Sequence, residues 1–125
     1  MAEFMFLIRN EGDPKSILSP ESHQAFLQKC KDYIEILTQK GQLIAAQPLI
    51  REGRVLSKND TTWIETPLNE SKEVQVGYYH ILAKDLDEAI EIAKRNPEFE
   101  YVSSARIEVR PIKTKEITTG FVYPK

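Results

Sequence analysis

The chain is short of the residues that most often announce a chemistry. Its 125 residues include one cysteine, Cys30, and two histidines, His23 and His80. A lone thiol excludes an intrachain disulfide and favours a cytoplasmic setting. With no His pair at i, i+4 spacing, no metal site is expected, and no motif calls for a cofactor. A charge excess is missing as well. Seventeen Lys and Arg stand against nineteen Asp and Glu, with the signs interspersed, so the electrostatic footprint of a nucleic-acid binder is absent. No apolar run approaches the roughly 18–20 residues of a membrane span, and MAEFMFLIRN lacks the basic-then-apolar pattern of a signal peptide. There is no Gly-rich phosphate loop, Walker-type element or G-x-S-x-G elbow. Neither nucleic acid nor membrane is expected as a partner.

What is present reads as one folded domain with a real core, 41% apolar and 29% charged. The organising stretch is Glu65 to Pro97. In it, Val74, Val76, Tyr78, His80 and Leu82 alternate with Gln75, Gly77, Tyr79, Ile81 and Ala83. Both faces are largely apolar, so the strand is expected to be central and covered on each side. A helix follows at once. Asp85 is its N-cap, Glu88 completes a capping-box pattern, and Leu86, Ala89, Ile90 and Ala93 make the apolar stripe until Asn96-Pro97 stops it.

Upstream, Glu3 to Arg9 is an apolar strand and Asn10 to Leu18 a loop. Ser19-Pro20 opens a long helix with Phe26, Cys30, Tyr33, Ile34 and Leu37 inward, Leu27 beside them, and Gly41 at its end. Gln42 to Ile50 reads as a second strand edged at Pro48. Arg54 to Ser57 is expected to pair back on it across a Glu52-Gly53 turn, with Thr61 to Thr66 as further β structure. Downstream, Tyr101 to Ile112 sets Ala105, Ile107 and Val109 against Arg106, Glu108 and Arg110. Leaving out the inserted hairpin, the order is β-α-β, β-α-β. That predicts an α+β, ferredoxin-like antiparallel sheet with both helices on one face. Residues 1–112 form this domain. Residues 113–125, with Ile117, Phe121, Val122 and Tyr123, form a tail docked on the body or on a partner subunit.

Several spaced motifs together resemble the YCII-related family, in the branch called the DGPF domain. They are Leu18-Ser19-Pro20-Glu21, the GQLIAAQPL segment, Glu70, Lys72 and Glu73, Gly77-Tyr78-Tyr79, Asp85-Leu86-Asp87-Glu88-Ala89-Ile90, and Glu108-Val109-Arg110-Pro111. The D-G-P-F signature is reduced to Glu65-Thr66-Pro67-Leu68, and a Gly-Glu element to Ala46-Gln47, so the chain resembles a divergent member. The resemblance implies ferredoxin-like subunits that pair sheet to sheet as a dimeric α/β barrel, here a homodimer. Activity in the family is mostly unassigned. The smaller YCII branch resembles muconolactone-isomerase-type and dehalogenase-type enzymes, with a suspected catalytic His in the first helix and a carboxylate near the second strand. That His position falls near Cys30 here, and His23 lies about two turns earlier, so the pair does not transfer.

The candidate residues are few. His80, in the central strand, is the natural proton carrier near neutral pH, and Glu73 is the second guessed proton carrier. The plainer reading is a histidine satisfied in the core or an interface. Glu70, Lys72 and Glu73 could line a pocket mouth, or be a solvated charged loop. Arg106 and Arg110 could bind a carboxylate or phosphate bidentately, or make ordinary cross-strand pairs. Trp63 and Tyr79 could wall a pocket, although aromatics in strands are more often core. Cys30 is most simply a small apolar residue. These residues predict a small-molecule pocket at the sheet and dimer interface for an organic acid or lactone-like ligand, with acid–base chemistry. The competing expectation is a non-enzymatic interaction module, in keeping with the transcription-related partners found beside family members.

Overall fold

The computed structural model describes residues 1–68 and 72–125. Strand β1 (Ala2–Asn10) buries Phe4, Phe6, Ile8 and Asn10, and sends Glu3, Met5, Leu7 and Arg9 to its other face. The expected loop after it contains one helical turn, α1 (Pro14–Ile17). Asp13 accepts from the Lys15 N–H at 3.0 Å and Pro14 occupies the first position. The residues that mark a loop therefore also start a helix. Helix α2 (Pro20–Gln39) is capped by Ser19, whose hydroxyl accepts from Ser22 N at 3.1 Å. Gly41 closes it at φ 68°, a conformation that only glycine adopts without cost. Phe26, Tyr33 and Leu37 are buried, Cys30 and Ile34 are half-buried, and Leu27 is turned outward.

Strand β2 (Leu43–Pro48) leads to β3 (Arg54–Asn59) and β4 (Thr62–Pro67). Here the expected pairing is corrected: β3 does not fold back on β2. It pairs forward with β4, Asn59 opposite Thr62, through a two-residue connection. Asp60 takes φ 54° there, which Asp tolerates better than most side chains. The resulting two-stranded sheet is separate from the main one, and each of its residues is exposed.

Strand β5 (Val74–Ala83) lies between β1 and β2, antiparallel to both, and β6 (Arg106–Pro111) flanks β1. The order β2-β5-β1-β6 makes an antiparallel α+β fold consistent with the ferredoxin-like expectation. Ile8 pairs with Gly77 but Arg9 with Gln75, which leaves Val76 as the extra residue of a β-bulge. Alternation inverts across it. Val74 therefore joins Tyr79, Ile81 and Ala83 in the core, not Tyr78, His80 and Leu82 as strict alternation predicts.

Helix α3 (Leu86–Lys94) is capped by Asp85, which accepts from Glu88 N at 2.9 Å. Glu88 reaches back to Lys84 N at 2.8 Å, one residue before the position a capping box uses. Its buried stripe is Ala89, Ile92 and Ala93, while Leu86 is 41% exposed. The stripe is thus rotated from the expected one. A further turn, α4 (Glu98–Tyr101), occupies the start of the predicted last strand. It is fixed by Asn96 Oδ1, which accepts from Glu98 N at 2.9 Å.

Helices α2 and α3 cover one sheet face, and Phe4, Phe6, Ile8, Tyr79 and Ile81 meet Tyr33, Leu37, Ala89 and Ile92 there. Among the described residues the other face carries no helix. The tail bends on itself through a Lys115–Val122 bridge and sends Lys125 Nζ to Glu3 Oε2 at 2.6 Å. Among the described residues, no helix is long and apolar enough to cross a membrane.

Candidate functional site

The helix-free face of the sheet gathers four of the residues singled out in the sequence, His80, Glu73, Arg106 and Arg110. Register aligns Ala45, His80, Met5 and Arg110 in one row, and Gln47, Tyr78, Leu7 and Glu108 in the next. His80 is half-buried, and its Nε2 lies 2.8 Å from Glu3 Oε1. Glu3 sits on the neighbouring strand, one diagonal step away. It is held below the ordinary carboxylate value of 4.5 chiefly by its bond to Lys125, then by His80. A carboxylate on one imidazole nitrogen fixes the tautomer and the orientation of the ring.

Glu73, the other guessed proton carrier, lies apart from His80. Glu73 precedes β5, seven residues from His80, so about 23 Å separate them at the rise of a strand. Glu73 instead joins a ladder of charges at the far end of the face. Arg106 Nη2 meets Glu73 Oε2 at 2.6 Å and Arg9 Nη1 meets Glu73 Oε1 at 3.8 Å. Arg9 Nη2 lies 3.2 Å from Glu108, and Arg110 Nε 3.8 Å from the same side chain. The guanidinium of Arg106 keeps Glu73 ionised, and Glu73 in turn raises Arg106. Among the described residues three arginines face Glu73 and Glu108 in this ladder, and Arg9 Nε is buried with no acceptor. Glu11 acts on Arg106 as well, so the charges of the ladder balance, and what its guanidiniums offer an anion is N–H donors and not spare charge.

The rest divide. Lys72 is exposed beside Glu11, Glu73, Ser104 and Arg106 in a shallow hollow. Glu70 lies outside the described residues. Tyr79 points to the helix side, edge-on to Tyr33 at 5.6 Å, away from His80 and the arginines. Trp63 is on the exposed hairpin under Lys58 Nζ at 4.9 Å, so it and Tyr79 do not share a pocket. Burial pushes the Cys30 thiol up to about 12, which removes it as a nucleophile at neutral pH. His23 lies 6.4 Å from the Phe26 ring, remote from the open face. Among the described residues no group of three His, Cys, Asp or Glu could hold a metal ion.

Sequence reasoning missed Glu3, Arg9 and Glu98. The first two were within reach, because Phe4, Phe6 and Ile8 inward place Glu3 and Arg9 outward beside His80 and Arg106. Glu98, on α4, carried no such signal. The profile of the YCII-related domain matches residues 2–116, and no curated protein matches the chain.

Proposed function

The chain belongs to the YCII-related family, and we propose that it acts as a cytoplasmic homodimer that binds a small organic acid or lactone-like compound on the helix-free sheet face. His80 moves the proton and Glu3 orients it; Arg110 holds the ligand's anionic group, while Arg106 and Lys72 flank the approach from the Glu73 end of the face. In this reading the chain is a divergent member of the DGPF branch. The observation that carries the proposal is the Glu3–His80 pair at 2.8 Å, sharing its row with Arg110. Two strand spacings, roughly 10 Å, separate His80 from Arg110. A ligand of several carbons, anchored by its carboxylate, would span that gap.

The test is a thermal-shift screen with small carboxylates, phosphates and lactones, since binding stabilises by RT ln(1 + [L]/Kd). A carboxylate that raises Tm in wild type, less in Arg110→Ala, and whose turnover stops in His80→Ala is the expected result. Ligand binding and turnover that survive both substitutions would sink the proposal.

A second reading, an interaction module, rests on exposed apolar surface. Val55, Leu56, Trp63 and Ile64 stand on the hairpin, and Ile117, Phe121 and Val122 on the tail. Removal of residues 113–125 separates the two. Loss of a heterologous partner with ligand binding intact favours the module.

A further inference from the structure

On the helix side of the sheet, away from the face discussed above, α2 and the β2–β5 edge enclose a largely apolar cavity of about 150 Å³. Phe26, Ile8, Ile34 and Val76 are among its walls; Leu27, Gln47 and Pro48 are exposed and mark its mouth. Gly77 belongs to this lining, and its missing side chain lets β2 approach, since a Cβ there would meet Gln47 O at 3.2 Å. Gln47, whose side chain belongs to the opposite sheet face, contributes backbone, and the polar side chains among the described lining residues are Cys30, Tyr79 and Glu98. These three lie close enough to feel one another's charge.

Glu98 is the unusual member. Its Oε2 is buried and has no hydrogen-bond donor. Asn10 lies near and favours the ionised form, but its Nδ2 does not meet the carboxyl in hydrogen-bonding geometry. Burial is the larger influence and raises the carboxyl above 4.5. A buried acceptor without a donor favours whatever brings one. Among the described residues no Lys or Arg lines the cavity, so an anion would meet a carboxyl and no counter-charge. An apolar cavity of about this volume is known to hold benzene, which sets the size of the occupant at one ring.

We propose that this cavity binds a neutral single-ring alcohol of phenol size, its hydroxyl donating to Glu98 Oε2 and its ring packed among Phe26, Ile34 and Val76. Calorimetric titration with phenol and with toluene, the same size without the hydroxyl, tests it. Wild type is expected to bind both saturably. Glu98→Leu should weaken phenol roughly tenfold, the worth of one hydrogen bond, and leave toluene unchanged. Ala46→Leu, which fills the cavity, should weaken both. Absence of saturable phenol binding to wild type, or equal loss of both ligands in Glu98→Leu, overturns the proposal. Amide chemical shifts of unmodified protein give a readout that needs no variant. Phenol should move Cys30, Val76 and Gly77, and movement confined to Arg106 and His80 would refute the assignment.

Discussion

Glu3 and Glu98 carry the same carboxyl in opposite surroundings, and their pH behaviour should therefore have opposite signs. Glu98 is raised by burial. A raised acid binds its proton more tightly when folded, so its contribution is fully present below about 4.5 and is lost as pH climbs through the folded value. Glu98→Gln, which never ionises, should match wild type in Tm at pH 4 and exceed it as pH rises past about 4.5, the gap levelling off above the folded value. Parallel curves would show that burial does not perturb the group. Glu3 is lowered by Lys125 and His80. Its contribution is present above about 4.5 and is lost as pH falls through the depressed folded value. Glu3→Gln should thus be less stable than wild type at pH 7, with the gap closing in acid. A gap that persists unchanged at pH 2.5 would assign the loss to packing. At this scale the sequence was informative about type and poor about partners. His80 stood out because imidazole titrates near neutrality, whereas its carboxylate is 77 residues distant and joined to it only by strand register.

Among the elements, legibility followed how local the determinant is. Caps were readable because the residues that make them are adjacent. Ser19 and Asp85 hold the N–H groups three residues on, as their positions predict. Asp85→Ala should cost about 1 kcal/mol, the usual value of an N-cap, and a denaturant midpoint unchanged from wild type would contradict that role. The turn into β3 was misread for the complementary reason. Glu52-Gly53 and Asn59–Thr62 are both good turns locally, and the choice between them depends on which strand β2 prefers as its neighbour. β5 takes that place, leaving β3 to pair with β4. The bulge at Val76 went unread although Gly77 beside it, an isolated glycine in a strand, is its local mark; the pairing with β1 is what fixes which residue is extra. It decides which side chains share a face with His80.

At the scale of the molecule, strand and helix order was sufficient for the architecture, because short right-handed connections leave few alternatives for β-α-β, β-α-β. The cover of the second sheet face was not readable in the same way. Met5, Leu7, Tyr78 and Leu82 are half-buried there without a helix above them. Four strands by six residues make a footprint of roughly 20 by 20 Å, short of the ~800 Å² per partner of a standard interface. A sheet-to-sheet homodimer would therefore need more surface, and the hairpin offers it. Leu56 and Trp63 are 60% and 62% exposed on a sheet separate from the main one, and aromatic anchors of this kind dominate binding energy. Two substitutions separate the contributions. Leu7→Lys should give a folded monomer by light scattering, because it places charge in the centre of the paired faces. Trp63→Ser should leave Tm of the isolated subunit unchanged yet weaken dimerisation at least about tenfold, the effect of losing roughly 1.4 kcal/mol at a hot spot. A wild-type chain that remains monomeric at high micromolar concentration, or a Leu7→Lys dimer as tight as wild type, would reject this arrangement and leave the open face to a different partner.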